Sequence, residues 1–177
     1  DVLIKLDPGM AFGTGHHPTT RMCMELLETL ISGGEKVIDV GCGSGILSIS
    51  AVKLGAQEVL GVEIEKRSVD IALENCELND ISSQVRVLNG SFPEIEVEKL
   101  AYDVAVANIA AKVIVDLSEY ISSAVVDGGK LVLSGILESS LDDVEKCYLM
   151  QGVRFDKILV DGDWTAVLAT KTTSRDL

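Results

Sequence analysis

Short apolar runs alternate along most of the chain with stretches whose apolar positions recur at the helical period. This alternation predicts strands and helices in turn, and hence a mostly parallel sheet covered by helices on both faces. The predicted strands are 36–40, 58–63, 85–88, 103–108 and 130–134. The predicted helices are 18–31, 46–54, 67–78, 113–124 and 141–150.

The last part of the chain departs from this alternation. Two apolar runs, 153–160 and 164–170, flank the tight loop Asp161-Gly162-Asp163, which is the pattern of a β-hairpin. A terminal antiparallel hairpin is unlike an ordinary dinucleotide-binding domain. The sequence therefore predicts one α/β domain over residues 1–177, with a seven-stranded, mostly parallel Rossmann-like sheet that ends in an antiparallel hairpin.

Composition excludes several classes of protein. Hydrophobic residues make up 47% of the chain, too many for a disordered protein, and no apolar run approaches the roughly 18 residues of a membrane span. The sequence shows no secretory leader, so we expect a cytoplasmic protein. The chain begins at Asp1 in strand-like sequence, and we expect it to be a fragment or the continuation of a longer protein.

Charge indicates the kind of partner. The net charge is −13 and Lys and Arg gather in no basic patch, which disfavours RNA or DNA and is compatible with a basic protein partner. Acidity that only keeps the protein soluble is the alternative, and both interpretations stay open.

The 4 cysteines lack metal-ligand spacing and the chain has only 2 histidines, so no metal site is predicted.

A glycine-rich turn follows the first predicted strand and carries the clearest chemistry. The segment Asp39-Val40-Gly41-Cys42-Gly43-Ser44-Gly45 opens a predicted helix, whose N-terminal N–H groups suit an anionic part of a ligand. A dinucleotide fingerprint has its third glycine three places after the second, where this chain has Ile46. The spacing instead resembles motif I of the class I methyltransferases that use S-adenosylmethionine (SAM).

Carboxylates accompany this turn. Glu63 ends the next apolar run, about 20 residues further on, where an acid can accept hydrogen bonds from the two ribose hydroxyls of a nucleotide. A solvent-facing acid is the alternative for Glu63, and Glu65 is a competing candidate. Asp39 either reaches the amino group of the methionine moiety or simply holds the turn.

Asn108 directly follows the fourth predicted strand, where parallel sheets deliver ligand-site residues. Its side-chain carbonyl can orient an amine nucleophile, or the residue can cap the next helix, and both interpretations stay open.

The glycine-punctuated loop 6–20 is predicted to be functional, with Thr20 able to contact a ligand. For His16 and His17 we favour hydrogen bonding within the loop over catalysis.

These features together resemble one family. Leu6-Asp7-Pro8-Gly9-Met10-Ala11-Phe12-Gly13-Thr14-Gly15 and His17-Pro18-Thr19-Thr20 are similar to the hallmark of the ribosomal protein methyltransferase family PrmA, whose members methylate large-subunit ribosomal protein L11. The motifs Gly41-Cys42-Gly43-Ser44-Gly45-Ile46-Leu47 and Ser134-Gly135-Ile136-Leu137 match the same family. The likeness runs from Leu6 to Thr170.

The resemblance implies a class I methyltransferase fold, in which the last strand inserts antiparallel between two others, and SAM as cofactor. It implies that the cofactor is bound by Thr20, Gly41, Glu63 and Asn108, covered by Phe12, and approached at its adenine by Ser91. The family's N-terminal substrate-recognition domain has no counterpart in residues 1–177. The family usually has Asp at the position of Glu63, and Ile-Leu-Ala where this chain has Ile109-Ala110-Ala111.

We hypothesise a SAM-dependent methyltransferase that acts on lysine side chains of a basic ribosomal protein. Asn108 orients the acceptor amine, and Asp39, Gly43 and Gly45 complete the cofactor site. The alternatives are a SAM-dependent enzyme acting on RNA or a small molecule, and a non-catalytic SAM-binding module. An NAD-dependent oxidoreductase is a further alternative, which the glycine spacing and the terminal hairpin oppose.

Overall fold

The computed structural model describes residues 3–7 and 15–173. The strands in these residues are β1 (Lys36–Val40), β2 (Glu58–Glu63), β3 (Val85–Asn89), β4 (Tyr102–Asn108), β5 (Val125–Leu137), β6 (Val153–Asp161) and β7 (Trp164–Lys171). The α-helices are α1 (Pro18–Leu30), α2 (Ile46–Leu54), α3 (Lys66–Leu78), α4 (Ala111–Asp116), α5 (Ser118–Ala124) and α6 (Leu141–Met150). None of these helices combines the length and apolar character needed to cross a membrane.

The strands form one sheet in the order β3-β2-β1-β4-β5-β7-β6. Neighbours from β3 to β5 are parallel, whereas β7 runs antiparallel to both β5 and β6. The last strand therefore lies between two others, and the predicted Rossmann-like class I methyltransferase fold is confirmed. The order reverses between β1 and β4, which is where ligands bind in open α/β sheets.

Helices cover both faces of the sheet because successive strand residues point to opposite sides. Val37 packs with Leu26 of α1 and Ile49 of α2 in the core on one face. Its neighbour Ile38 belongs to the core on the other face, with Tyr148 of α6. The sheet is thus buried on both sides, as the continuous apolar runs predicted.

The prediction of a single helix over 113–124 was wrong. The structure has two helices, α4 and α5, separated at Leu117, which has φ −97° and ψ 6°. The run Val113-Ile114-Val115 consists of β-branched residues, which weaken a helix because their side chains lose freedom against the preceding turn.

The fifth strand is longer than the predicted 130–134. It begins at Val125, which pairs with Tyr102, and resumes at Lys130, which pairs with Val104. Between these pairs Gly128 and Gly129 form a bulge rather than a strand boundary, with a φ of 79° at Gly128. The glycine pair lets the strand turn sharply and return to the sheet.

Candidate functional site

A cavity of about 680 Å³ lies at the carboxyl ends of β1 and β4, where the strand order reverses. This is the size of a small-molecule site, about 300–1,000 Å³. The predicted site residues that line it are Thr20, Asp39, Gly41, Gly43 and Asn108. Those outside its lining are Gly45, Glu63 and Ser91, while Phe12 lies outside the described residues.

The glycine turn between β1 and α2 forms one wall of the cavity. Gly43 has a φ of 53°, which L side chains rarely adopt, and a Cβ atom there would meet no atom within 4 Å. The turn therefore presents bare backbone to the cavity. Gly45 is the N-cap of α2, and a Cβ atom on it would lie 3.3 Å from the Cβ of Ala72 on α3, so its role is to pack the turn against α3.

Glu63 fastens this turn to the end of β2. One carboxylate oxygen, Oε2, accepts the Gly43 N–H at 2.9 Å, and Oε1 accepts the Glu65 N–H at 3.0 Å. The residue is 9% exposed. Each carboxylate oxygen has two lone pairs, so both retain capacity for a ligand hydroxyl after these bonds are made. A ribose contact by Glu63 remains a prediction.

Asp39 is a buried carboxylate at the cavity wall. Its Oδ2 accepts the Ser48 hydroxyl at 2.6 Å, which ties the end of β1 to α2. Burial raises the pKa of Asp39 from 3.8 to about 6, hydrogen bonds from the Ser48 hydroxyl and backbone oppose that rise, and the nearby Glu63 charge adds to it. Of the two roles considered for Asp39, the geometry directly supports holding the turn. Contact with a methionine amino group stays a prediction.

Ile109 fixes the turn that follows β4, because it packs closely against two glycines that have no Cβ atom to exclude it. A Cβ atom at Gly41 would lie 2.3 Å from the Ile109 Cγ2, and one at Gly135 would lie 2.2 Å from the Ile109 carbonyl oxygen. The Ile109 N–H also donates to the Ser134 carbonyl at 3.1 Å. The turns after β1 and β4 and the irregularity at Gly135 in β5 are therefore in van der Waals contact through one residue.

Asn108 is held directly beside this contact. It pairs with Ser134 across the sheet, and its side-chain Nδ2 lies 3.4 Å from the Thr20 hydroxyl, which it approaches as a donor. Its side-chain oxygen has no donor among the described residues. Asn108 does not cap α4, whose N-cap is Ala110. Of the two roles left open for Asn108, helix capping is thereby excluded, and a cavity-lining amide remains.

His17 and Trp164 also line the cavity. His17 caps α1: its Nδ1 accepts the Thr19 N–H at 3.3 Å and lies 2.7 Å from the Thr19 hydroxyl. This confirms hydrogen bonding within the loop for His17. Sequence reasoning missed Trp164, whose ring meets the His17 ring edge-on at 5.1 Å. Its one signal was that it is the only tryptophan and begins the last strand.

Ser91 lies beyond the end of β3. The preceding residue, Gly90, donates its N–H to the Glu63 carbonyl at 2.9 Å, which places this segment beside the end of β2. An adenine contact by Ser91 remains a prediction. Within residues 3–7 and 15–173, no three His, Cys, Asp or Glu side chains gather in a way that could hold a metal ion.

Comparison with known proteins identifies one family. The model of the family described as "Ribosomal protein L11 methyltransferase (PrmA)" matches residues 1–172. A ribosomal protein L11 methyltransferase of Syntrophomonas wolfei is 45% identical over 171 residues, which are 97% of this chain and 55% of that protein. One of Halalkalibacterium halodurans is 43% identical, covering 96% of this chain and 53% of that protein. The chain thus spans about half the length of these relatives.

Solved structures agree with this assignment. The crystal structure of a ribosomal protein L11 methylase from Lactobacillus delbrueckii subsp. bulgaricus superposes with a TM-score of 0.86 at 32% identity, covering 96% of this chain and 84% of that one. A putative RNA methyltransferase from Pyrococcus horikoshii has a TM-score of 0.77 at 20% identity, covering 96% of this chain and 95% of that one, which shows likeness of fold alone.

Two glycines with similar backbone conformations test whether close approach at Ile109 matters. Gly135 has φ +84° and Gly128 has φ +79°, but a Cβ atom on Gly128 would meet nothing within 4 Å. We expect Gly128→Ala to cost about 1–2 kcal/mol for its left-handed backbone. Gly135→Ala should cost about 1–3 kcal/mol more, because it also displaces the turn after β4. Urea unfolding measures both, and equal costs would contradict the proposed contact.

The buried Asp39 predicts a specific pH dependence. Folding raises the pKa of Asp39 from 3.8 to about 6. Between these pH values the folded chain keeps a proton that the unfolded chain has lost, so stability falls as pH rises through this window. Asp39→Asn does not titrate. Its free energy of unfolding, relative to the unsubstituted chain, should therefore rise by about 1 kcal/mol between pH 5 and 8.

A companion variant sharpens this measurement. Ser48→Ala removes the hydroxyl that favours the ionised carboxylate, so it should raise the folded-state pKa of Asp39 and extend the upper limit of the window to higher pH. A pH-independent difference between Asp39→Asn and the unsubstituted chain would show that Asp39 does not titrate abnormally.

Proposed function

The chain belongs to the ribosomal protein L11 methyltransferase family, and we propose that it uses SAM to methylate lysine side chains of a large-subunit ribosomal protein. The observation that carries this proposal is a single cavity lined by both the glycine turn and Asn108. A methyl donor and an amine acceptor must meet at one place, and this cavity has a group suited to each. The substrate and the reaction are given as proposals, because the chain spans about half the length of its relatives.

The residues on the β1 side fit the cofactor. The open backbone at Gly43 leaves space for a ligand, and the N-terminus of α2 favours a carboxylate such as that of a methionine moiety. Glu63 adjoins the turn with lone pairs left for ribose hydroxyls. When bound there, SAM would supply a methyl group on a positively charged sulfur, which departs as a neutral thioether.

The residues on the β4 side fit an amine. The Asn108 side-chain oxygen can accept an N–H from the acceptor and so aim the nitrogen lone pair at the methyl group. Thr20 supports this orientation because its hydroxyl oxygen accepts a hydrogen bond from the amide Nδ2. Catalysis would then consist mainly of positioning two reactants that need no further activation once the amine is neutral.

The acceptor lysine must first lose its proton, because its ordinary pKa is about 10.4. In the described structure His17 Nδ1 is engaged in capping α1, and Asp39 Oδ2 is engaged with Ser48. Neither is placed as a dedicated base. Transfer of the lysine from water into a cavity walled by Ile109 and Trp164 disfavours its charged form, and we propose that this desolvation supplies the neutral amine.

The acidic balance of the chain suits a basic protein better than a nucleic acid. The net charge is −13. Near the cavity-lining Trp164, the Glu138 N–H donates to the Asp163 carbonyl at 2.9 Å, which brings two exposed acidic residues together. A negative surface at this edge would attract a lysine-rich segment and repel phosphate groups.

The test is to incubate the purified chain with methyl-labelled SAM and an extract that lacks methylated ribosomal proteins, and then to fractionate the products. We expect label on lysine in one small ribosomal protein, insensitive to nuclease. Label in RNA or in small molecules would overturn the substrate class. Bound SAM without any transfer would leave a SAM-binding module and would refute catalysis by this chain.

Asn108→Ala separates binding from transfer. Because the side-chain oxygen is proposed to aim the amine, we expect kcat/KM for methyl transfer to fall about 100-fold, while the dissociation constant of SAM changes less than about threefold. The control is Lys112→Ala, an exposed residue of α4 that pairs with Asp116 and should change neither. Equal losses of SAM affinity and transfer in Asn108→Ala would exclude the orienting role.

A further inference from the structure

The N-terminal segment, residues 3–7, lies outside the sheet but is fastened to α3. Ile4 and Leu6 pack against the core formed with α1 and α2. The backbone of this segment bonds to two asparagine side chains, because the Lys5 N–H donates to Asn79 and the Asp7 N–H donates to Asn75.

The spacing of these bonds follows from element geometry. Residues two apart in an extended segment advance about 6.6 Å, and residues four apart in a helix about 6 Å on the same face. Lys5 and Asp7 can therefore both meet α3. Asn79 also donates to the Lys5 carbonyl at 2.7 Å, so its amide exchanges two hydrogen bonds with one residue, as a neighbouring strand would.

Asn75 extends this attachment to the glycine turn. Its Oδ1 accepts the Asp7 N–H at 3.1 Å, and its Nδ2 donates to the Ser44 carbonyl at 2.9 Å. Ser44 lines the cavity, whereas the Asn75 side chain is completely buried. A buried amide that is bonded at both ends makes the positions of its two partners depend on each other, since losing either bond costs free energy.

We propose that Asn75 is a positioning residue that couples docking of the N-terminal segment to the shape of the cofactor turn. This inference rests on the proposed function in one respect, namely that SAM is the ligand of the turn. By linkage, SAM binding then strengthens docking of the N-terminal segment by the factor with which docking strengthens SAM binding.

The coupling is tested first in the ligand-free full chain. Lys5→Pro removes the N–H that donates to Asn79 and suits an extended segment. The matched control is Leu3→Pro, at a 72% exposed residue whose N–H donates to nothing in the described part of the chain. The reporter is hydrogen exchange of the Gly45 N–H, which bonds the Cys42 carbonyl at 2.8 Å. We expect Lys5→Pro to speed this exchange about three- to tenfold and Leu3→Pro to leave it unchanged.

The second measurement is SAM affinity by calorimetry. Asn75→Leu and Lys5→Pro should each raise the dissociation constant, Asn75→Leu by about tenfold for a lost buried hydrogen bond. The double variant should weaken binding by less than the product of the single effects, because both act through one link. A merely structural role would give independent effects that multiply.

The outcomes separate this inference from the proposed function. Unchanged Gly45 exchange in Lys5→Pro, or multiplicative effects on SAM affinity, overturns the coupling even if SAM binds normally. Failure of the unsubstituted chain to bind SAM overturns the proposed function, while the exchange measurement still decides the coupling. If Asn75→Leu fails to fold, Lys5→Pro and its control carry the test alone.

Discussion

The site depends on one close backbone approach, where Ile109 lies against the turn after β1 and against Gly135 within β5. Only residues without a Cβ atom at positions 41 and 135 leave room for it, since a Cβ atom would come within 2.3 Å and 2.2 Å of Ile109. Asn108 precedes Ile109 and pairs with Ser134, the neighbour of Gly135. The proposed acceptor group and the cofactor turn are therefore positioned against the same residue, and neither can shift without disturbing the other.

Buried polar groups then hold the glycine turn from several directions. Glu63 accepts the Gly43 N–H from the side of β2, and Asn75 donates to the Ser44 carbonyl from α3. Asp39 and Ser48 join the strand before the turn to the helix after it. Burying such groups is costly unless they are bonded, so each bond removes alternative conformations of the turn. A turn fixed in this way loses little further entropy when a ligand binds, which favours affinity.

Strand and helix periods predicted most of the fold because they record burial directly, and the glycine turn was predicted because its backbone demands are local. The errors arose where the same residue type is compatible with two different local structures. Gly128-Gly129 could end a strand or bulge it, and only the pairing of Val125 with Tyr102 decides. Asn75 drew no prediction from the sequence, because its partners at Asp7 and Ser44 are 68 and 31 residues away along the chain. Trp164 reaches the cavity only because β7 inserts beside β5. Such facts belong to tertiary structure.

The proposed reaction makes opposite demands on charge, and the arrangement of carboxylates answers both. A lysine is attracted as a cation but reacts as a neutral amine, and an unengaged carboxylate beside it would hold its proton in place. Asp39 is buried and bonded to Ser48, and Glu63, whose remaining lone pairs are proposed to accept the ribose hydroxyls, lies outside the cavity lining. Exposed acids such as Asp163 instead lie outside the cavity, in the loop that joins β6 to β7. In the proposed reaction, long-range attraction thus comes from the surface, and desolvation in the cavity neutralises the amine.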